Sequence, residues 1–309
     1  MRSRTAALSR FVLSILTVVM LGLVSDTGYA TPIAIMYGGL GGHTNGDSTN
    51  DGALAIVDQA TGAVMIVGHP VGVFRVSGLA FDSAGALFGA TQGPGGFPPP
   101  PGPLTASDLI RLDPVTGALL SSVLIRDASG IALSIADLAV QPGTNTLFGV
   151  EGPIDRLNRQ GTLYTINATT GVATLVGNTS HFFASIAFAP NGTLYMSSAD
   201  LGPMGQDINV GLSTLNPSNA ATLSFVSTAD FFGALGIRPT DGVIFGGTGD
   251  AHQLFTINPA TGAETLVGDT GLNFVGDLAF TFRVPEPATL ALLSFGLAGL
   301  GFSRRRKSH

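Results

Sequence analysis

The chain has 309 residues, with 43 Gly, 18 Pro, no Cys and no Trp, 11% charged side chains and a formal net charge of −6. A hydrophobic share of 45% is too high for a disordered chain, and glycines without an every-third-residue period exclude collagen. The absence of Cys removes disulfide scaffolds, thiolate metal sites and thiol nucleophiles together, so one or two domains must be held by their apolar cores alone.

Residues 1 to 30 carry Arg2, Arg4 and Arg10, then the apolar run FVLSILTVVMLGLV (11 to 24), then Gly28-Tyr29-Ala30. Basic residues, a short apolar core and small residues at both cleavage-recognition positions make a secretory signal peptide, cut between Ala30 and Thr31. The mature chain opens on the strand IAIMYGG (33 to 39). Next, Asp47-Ser48-Thr49-Asn50-Asp51-Gly52 sets oxygen ligands at alternate positions before a glycine, with Asp58 at the twelfth position. That spacing resembles a calcium loop and makes Asp47, Thr49, Asp51 and Asp58 a candidate Ca2+ site. A plain polar loop is the alternative, because Asp58 is also wanted by the hairpin turn that follows.

Five segments then align without gaps: LAIVDQATGAVMIVGHP (54 to 70), LIRLDPVTGALLSSVLI (109 to 125), LYTINATTGVATLVGNT (163 to 179), LSTLNPSNAATLSFVST (212 to 228) and LFTINPATGAETLVGDT (254 to 270). Each is predicted as a hairpin, with apolar and β-branched strands flanking an Asp/Asn-led turn in which glycine supplies the left-handed residue. Between them recur GLAFDSAGALFGAT (78 to 91), DLAVQPGTNTLFGVE (137 to 151), SIAFAPNGTLYMSS (185 to 198) and ALGIRPTDGVIFGGT (234 to 248), again strand, turn, strand. Four strands per repeat, with no helical periodicity, match the blades of a β-propeller. After the last hairpin only the inner strand DLAFTF (277 to 282) remains, so it is expected to join residues 33 to 39 in one shared blade, giving five blades and no open ends. The pattern resembles secreted bacterial propellers with "LYxIDxxTG" hairpins, a likeness that implies fold and leaves function open. The alternative fold is a β-sandwich. The insert GPGGFPPPPGP (93 to 103) reads as a stiff surface loop within the second blade.

Chemistry is sparse. The mature chain holds His43, His69, His181 and His252 with no HxH or HExxH spacing, no GxSxG and no Lys before the C-terminal tail. Aligning the inner strands puts Gly78, Asp137, Ser185, Ala234 and Asp277 in equivalent places, so Asp137, Ser185 and Asp277 are candidate groups at the mouth of the central channel, for a cation or sugar hydroxyls. The alternative is that these carboxylates cap backbone amides.

The chain ends VPEPATLALLSFGLAGLGFSRRRKSH (284 to 309). Pro285-Glu286-Pro287, an apolar stretch from Ala288 to Phe302, and Arg304, Arg305, Arg306 and Lys307 resemble the PEP-CTERM sorting signal of Gram-negative bacteria. The resemblance implies a transient transmembrane helix and removal of the tail by an exosortase-type membrane protease, in bacteria with an extracellular polysaccharide matrix. The basic cluster is expected to stay cytoplasmic, leaving the rest outside. Residues 31 to 284 carry 18 acidic side chains against seven Arg and no Lys, a formal charge of −11 that disfavours nucleic acid and anionic membrane surfaces as partners. The sequence therefore reads as a signal peptide (1–30), a five-bladed propeller (31–283) and a sorting tail (284–309). The expected role is a non-enzymatic matrix or surface interaction protein, with extracellular polysaccharide a candidate partner. The competing role is a propeller hydrolase or lyase using channel-mouth Asp and His.

Overall fold

The computed structural model describes residues 33–41, 49–91, 106–152, 161–181, 183–202, 206–249, 251–271 and 275–283. The signal peptide, the proline-rich insert, Asp47 and the tail from residue 284 lie outside the described residues. Residues Ala34–Phe282 form one compact unit, and the two chain ends are assigned to another.

Among the described residues every regular element is a strand. The first blade takes β1 (Ile33–Leu40), β2 (Leu54–Val57), β3 (Val64–Gly68) and, from the far end of the chain, β21 (Val275–Arg283), in the order β21-β1-β2-β3. The second is β4 (Val76–Phe81), β5 (Leu87–Thr91), β6 (Asp108–Leu112) and β7 (Leu119–Leu124). The third holds β9 (Ile135–Val140), β10 (Leu147–Glu151), β11 (Thr162–Ile166) and β12 (Val172–Asn178). The fourth comprises β13 (Phe183–Phe188), β14 (Leu194–Leu201), β15 (Asp207–Leu215) and β16 (Thr222–Ser227). The fifth comprises β17 (Ala234–Ile237), β18 (Ile244–Gly247), β19 (Gln253–Ile257) and β20 (Glu264–Asp269). The fold is a five-bladed β-propeller, closed as expected by pairing the two terminal strands in one sheet. One strand was not foreseen: β8 (Arg126–Asp127) pairs parallel with β12, with Arg126 N–H donating to Gly171 O at 3.1 Å. Chain leaving the second blade thereby covers part of the outer edge of the third, an edge whose unpaired groups would otherwise face water.

The core is five cores, each between two neighbouring blades. Leu54 and Tyr37 of the first blade pack with Leu79, Leu87 and Ile110 of the second. Ala90 and Leu109 pack with Leu138 and Leu147, Phe148 and Leu163 with Ile186 and Met196, and Leu212 with Leu235 and Ile244. The fifth core joins the ends of the array, with Phe245 and Leu254 of the last blade against Met36, Val57, Val275 and Leu278 of the first. The inner strands β4 and β17 and their neighbours β10 and β18 are buried along nearly their whole length and read as short hydrophobic runs, whereas the outer strands β7 and β16 are largely exposed.

The hairpin turns explain the Thr-Gly repeat. In the first, Asp58 Oδ1 accepts from Ala60 N–H and Thr61 N–H, both at 2.9 Å, and Gly62 N–H closes the turn on Asp58 O with φ at 76°. Asp113 and Asn167 repeat the arrangement. Each turn also abuts the outer strand of the blade before it. A Cβ on Gly117 would meet Gly68 Cα at 2.7 Å, and one on Gly171 would meet Leu124 O at 2.4 Å.

Candidate functional site

The five inner strands β4, β9, β13, β17 and β21 each turn one edge towards the centre of the ring, where backbone N–H groups have no further strand to pair with. Two carboxyls satisfy them. Asp137 Oδ1 accepts from Leu138 N–H at 2.6 Å and Oδ2 from Ile186 N–H at 2.7 Å. Asp277 Oδ1 accepts from Leu278 N–H at 2.6 Å and Oδ2 from Leu79 N–H, while Leu235 N–H also donates to it. Those amides are Leu79, Leu138, Ile186, Leu235 and Leu278, one from each blade, each immediately after the aligned positions Gly78, Asp137, Ser185, Ala234 and Asp277. The carboxyls also hydrogen-bond each other.

Both aspartates are fully buried, as is Ser185, whose hydroxyl donates to Phe232 O at 2.7 Å. The expectation of a channel mouth is therefore corrected: Asp137, Ser185 and Asp277 are buried among the inner strands, where the two carboxyls take up amides of neighbouring blades. A Cβ on Gly78 would lie 2.7 Å from Leu138 N and 2.9 Å from Asp137 Cα. Burial first, then the neighbouring Asp277 charge, pushes the Asp137 carboxyl well above the usual carboxylate range. Burial likewise raises Asp277, to about 7, against the hydrogen bonds it accepts.

The acidic loop fares differently. Asp47 lies outside the described residues, and Asp58 is engaged by its own hairpin, where those backbone bonds and the Thr61 hydroxyl lower its pKa. Asp51 is separated from Asp58 by β2, and a four-residue strand spans about 13 Å, too far for two ligands of one cation. Burial lowers the Arg75 guanidinium from its usual range, and the charge of Asp51 partly opposes that shift. Thr49, Asp51 and Asp58 thus do not form the set that the spacing predicted. Asp58→Ala is expected to lower the melting temperature by a similar few degrees in excess calcium and in chelator, since it removes a turn cap. A loss seen only in calcium would restore Asp58 as a ligand.

Neither His69 nor His181 joins the axial acids. His69 is exposed just after the outer strand β3, and His181 precedes β13, with Nδ1 3.4 Å from Asp200 Oδ1. Among the described residues no three His, Cys, Asp or Glu side chains gather as a metal cluster would.

A feature the sequence reading missed is a cleft of about 360 Å³ between the second blade and the connection that leads into it. Val71, Val73 and Phe74, on the connection from β3 to β4, form one wall, and Thr91, Asp108, Ile110, Leu119 and Ser122 of the second blade form the other. Phe74 is 58% exposed, and Ser122 Oγ donates to Asp108 Oδ2 at 3.0 Å, so an open aromatic ring and a polar pair share one hollow. The available signal was Val71-Gly72-Val73-Phe74, an apolar run outside any strand pattern.

Over residues 283–307 the chain matches the PEP-CTERM protein-sorting motif. It is an exported, envelope-sorted propeller protein. The motif implies exosortase processing, and it begins at Arg283, where the closing strand ends. Among the described residues no helix is long and apolar enough to cross a membrane. No curated protein matches the chain in sequence. Among solved structures it is similar to a chain of a nidogen/laminin complex (TM-score 0.48, 13% identity, 82% of this chain and 86% of that one). It is also similar to a Bacteroides caccae protein of unknown function (TM-score 0.44, 13% identity, 81% and 99%). A third is Myxococcus xanthus glutaminyl cyclase (TM-score 0.40, 14% identity, 71% and 74%). The fold assignment rests on the strand topology and not on these likenesses.

Proposed function

We propose that this protein acts at the cell surface by binding and not by catalysis, and that the cleft between its second blade and the connection leading into it holds a neutral glycan of the extracellular matrix. The cleft carries this reading. Its size suits one or two sugar rings. The Phe74 ring offers an apolar face for the C–H face of a sugar, and Asp108, Ser122 and Thr91 offer oxygens to its hydroxyls. A formal charge of −11 over residues 31 to 284 argues against acidic polymers, which leaves neutral ones. The most perturbed acids, Asp137 and Asp277, accept from five backbone amides and lack the solvent access that a general acid or base needs.

The test is binding of the purified mature protein to a panel of neutral and acidic bacterial polysaccharides, followed by calorimetry on any ligand found. Phe74→Ala and Asp108→Asn are each expected to weaken binding about tenfold or more, since each removes a contact of roughly 1.5 kcal/mol or above. Binding unaffected by both substitutions would move the site elsewhere. Release of new sugar ends from the polymer would favour the hydrolase or lyase reading.

A further inference from the structure

We infer that the propeller ring is locked by a proton: Asp137 donates a carboxyl hydrogen bond to Asp277 on the strand that closes the array, and the closed ring loosens when that proton leaves. Three observations converge on the axis. Five amides, one per blade, need acceptors there, and two carboxyls supply them. Both carboxyls are fully buried and in contact, so two full negative charges would repel at close range without water to screen them. A shared proton turns that repulsion into a hydrogen bond.

The third observation is where the two acids sit. Asp137 belongs to β9 in the middle of the chain, whereas Asp277 belongs to β21, whose pairing with β1 closes the ring. Their contact ties the closing strand to the far side of the ring. That strand runs straight into the sorting motif at residue 283, and Asp277 lies upstream of it, so the lock stays with the mature protein after the tail is removed.

No other charged group faces the pair from the packed elements among the described residues. At the aligned position β4 presents Gly78, β13 presents Ser185 and β17 presents Ala234. Among the described residues, the charge acting on Asp137 is that of Asp277.

The direction of the pH dependence follows from the raised carboxyls. An acid whose folded pKa lies above its unfolded value binds more protons when folded, so its stabilisation is complete below about pH 4 and is lost as pH rises through the folded value. Loss therefore runs from about pH 4 through about 7 for Asp277, and continues upward for Asp137. Asp58, Asp113 and Asp241 are shifted the other way, and their contributions vanish only below the ordinary carboxylate range. Stability should thus peak on the acid side of neutrality.

The experiment is thermal unfolding of the mature protein from pH 5 to pH 8.5 at constant ionic strength. Wild type is expected to lose on the order of 10 °C across that range, a size appropriate to one or two buried acids in a domain this large. Asp137→Asn keeps a donor for Asp277 that cannot ionise but loses one acceptor. It should therefore melt below wild type at pH 5, show a shallower profile because only Asp277 of the pair is left to titrate, and meet or exceed wild type at pH 8.5. Infrared spectroscopy of wild type at pH 7 should show a protonated-carboxyl C=O band, a readout that does not depend on any variant folding. A wild-type melting temperature that rises from pH 5 to pH 8.5, or the absence of that band, would overturn the lock.

Discussion

Deleting residues 272 to 284 is expected to abolish cooperative unfolding, the largest single effect in the molecule. β21 supplies Val275, Leu278 and Ala279 to the inter-blade cores, all nearly inaccessible to water. Burying Val275 and Leu278 contributes about 1.5–3 kcal/mol each. Asp277 leaves with the strand, stranding the amides of Leu79 and Leu235, at about 1–3 kcal/mol for each buried donor without an acceptor. These losses approach the whole net stability of a typical domain, about 5–15 kcal/mol, before the newly bare edge of β1 is considered. The truncated protein should show no sharp thermal transition by circular dichroism and should sediment as aggregates through that edge. A sharp transition at the wild-type temperature would mean that the ring closes on a three-stranded first blade.

The sequence made the blades legible because a blade is local. Strand, turn and strand recur within 17 residues, and the turn chemistry of Asp58, Asp113 and Asn167 is carried by the residues themselves. Even the shared blade could be read, since 33 to 39 and 277 to 282 each lacked a partner. What the alignment of inner strands could not supply was depth. It set Asp137 and Asp277 at equivalent positions, but whether such positions ring an open mouth or meet inside depends on how closely the inner strands approach. The complete burial of both carboxyls and their bonds to amides of neighbouring blades come from that approach. The calcium-loop spacing treats residues 47 to 58 as one turn, whereas Leu54–Val57 is extended and Asp58 caps the hairpin turn that follows. The cleft was invisible because one wall is the connection from β3 to β4 and the other is the second blade.

The second large effect concerns the hairpin glycines. Each of the five blade interfaces presses a hairpin turn against the preceding outer strand, and at each one side or the other lacks a side chain. Turn and strand are both glycine where Gly117 meets Gly68 and where Gly62 meets Gly268. Where Gly171 meets Leu124 and Gly262 meets Ser227, only the turn residue is glycine, whereas in the fourth blade the turn carries Ala220 and the strand facing it carries Gly177. Gly262→Ala would set a Cβ 2.0 Å from Ser227 O, on backbone that cannot swing aside, at a φ of 73° that disfavours any L side chain. The left-handed conformation alone costs about 1–2 kcal/mol, and separating two packed blades brings the loss to about 3–5 kcal/mol, or roughly 10 °C of melting temperature. Ala220→Gly at the same turn position should stay within about 1 kcal/mol of wild type, because relief at φ 60° offsets one buried methyl and the greater freedom of the unfolded chain. Thermal unfolding of both variants gives the comparison. A loss of only about 1–2 kcal/mol for Gly262→Ala would mean that the turn glycines serve local conformation alone, and a loss of about 3–5 kcal/mol places their role in the contact between blades.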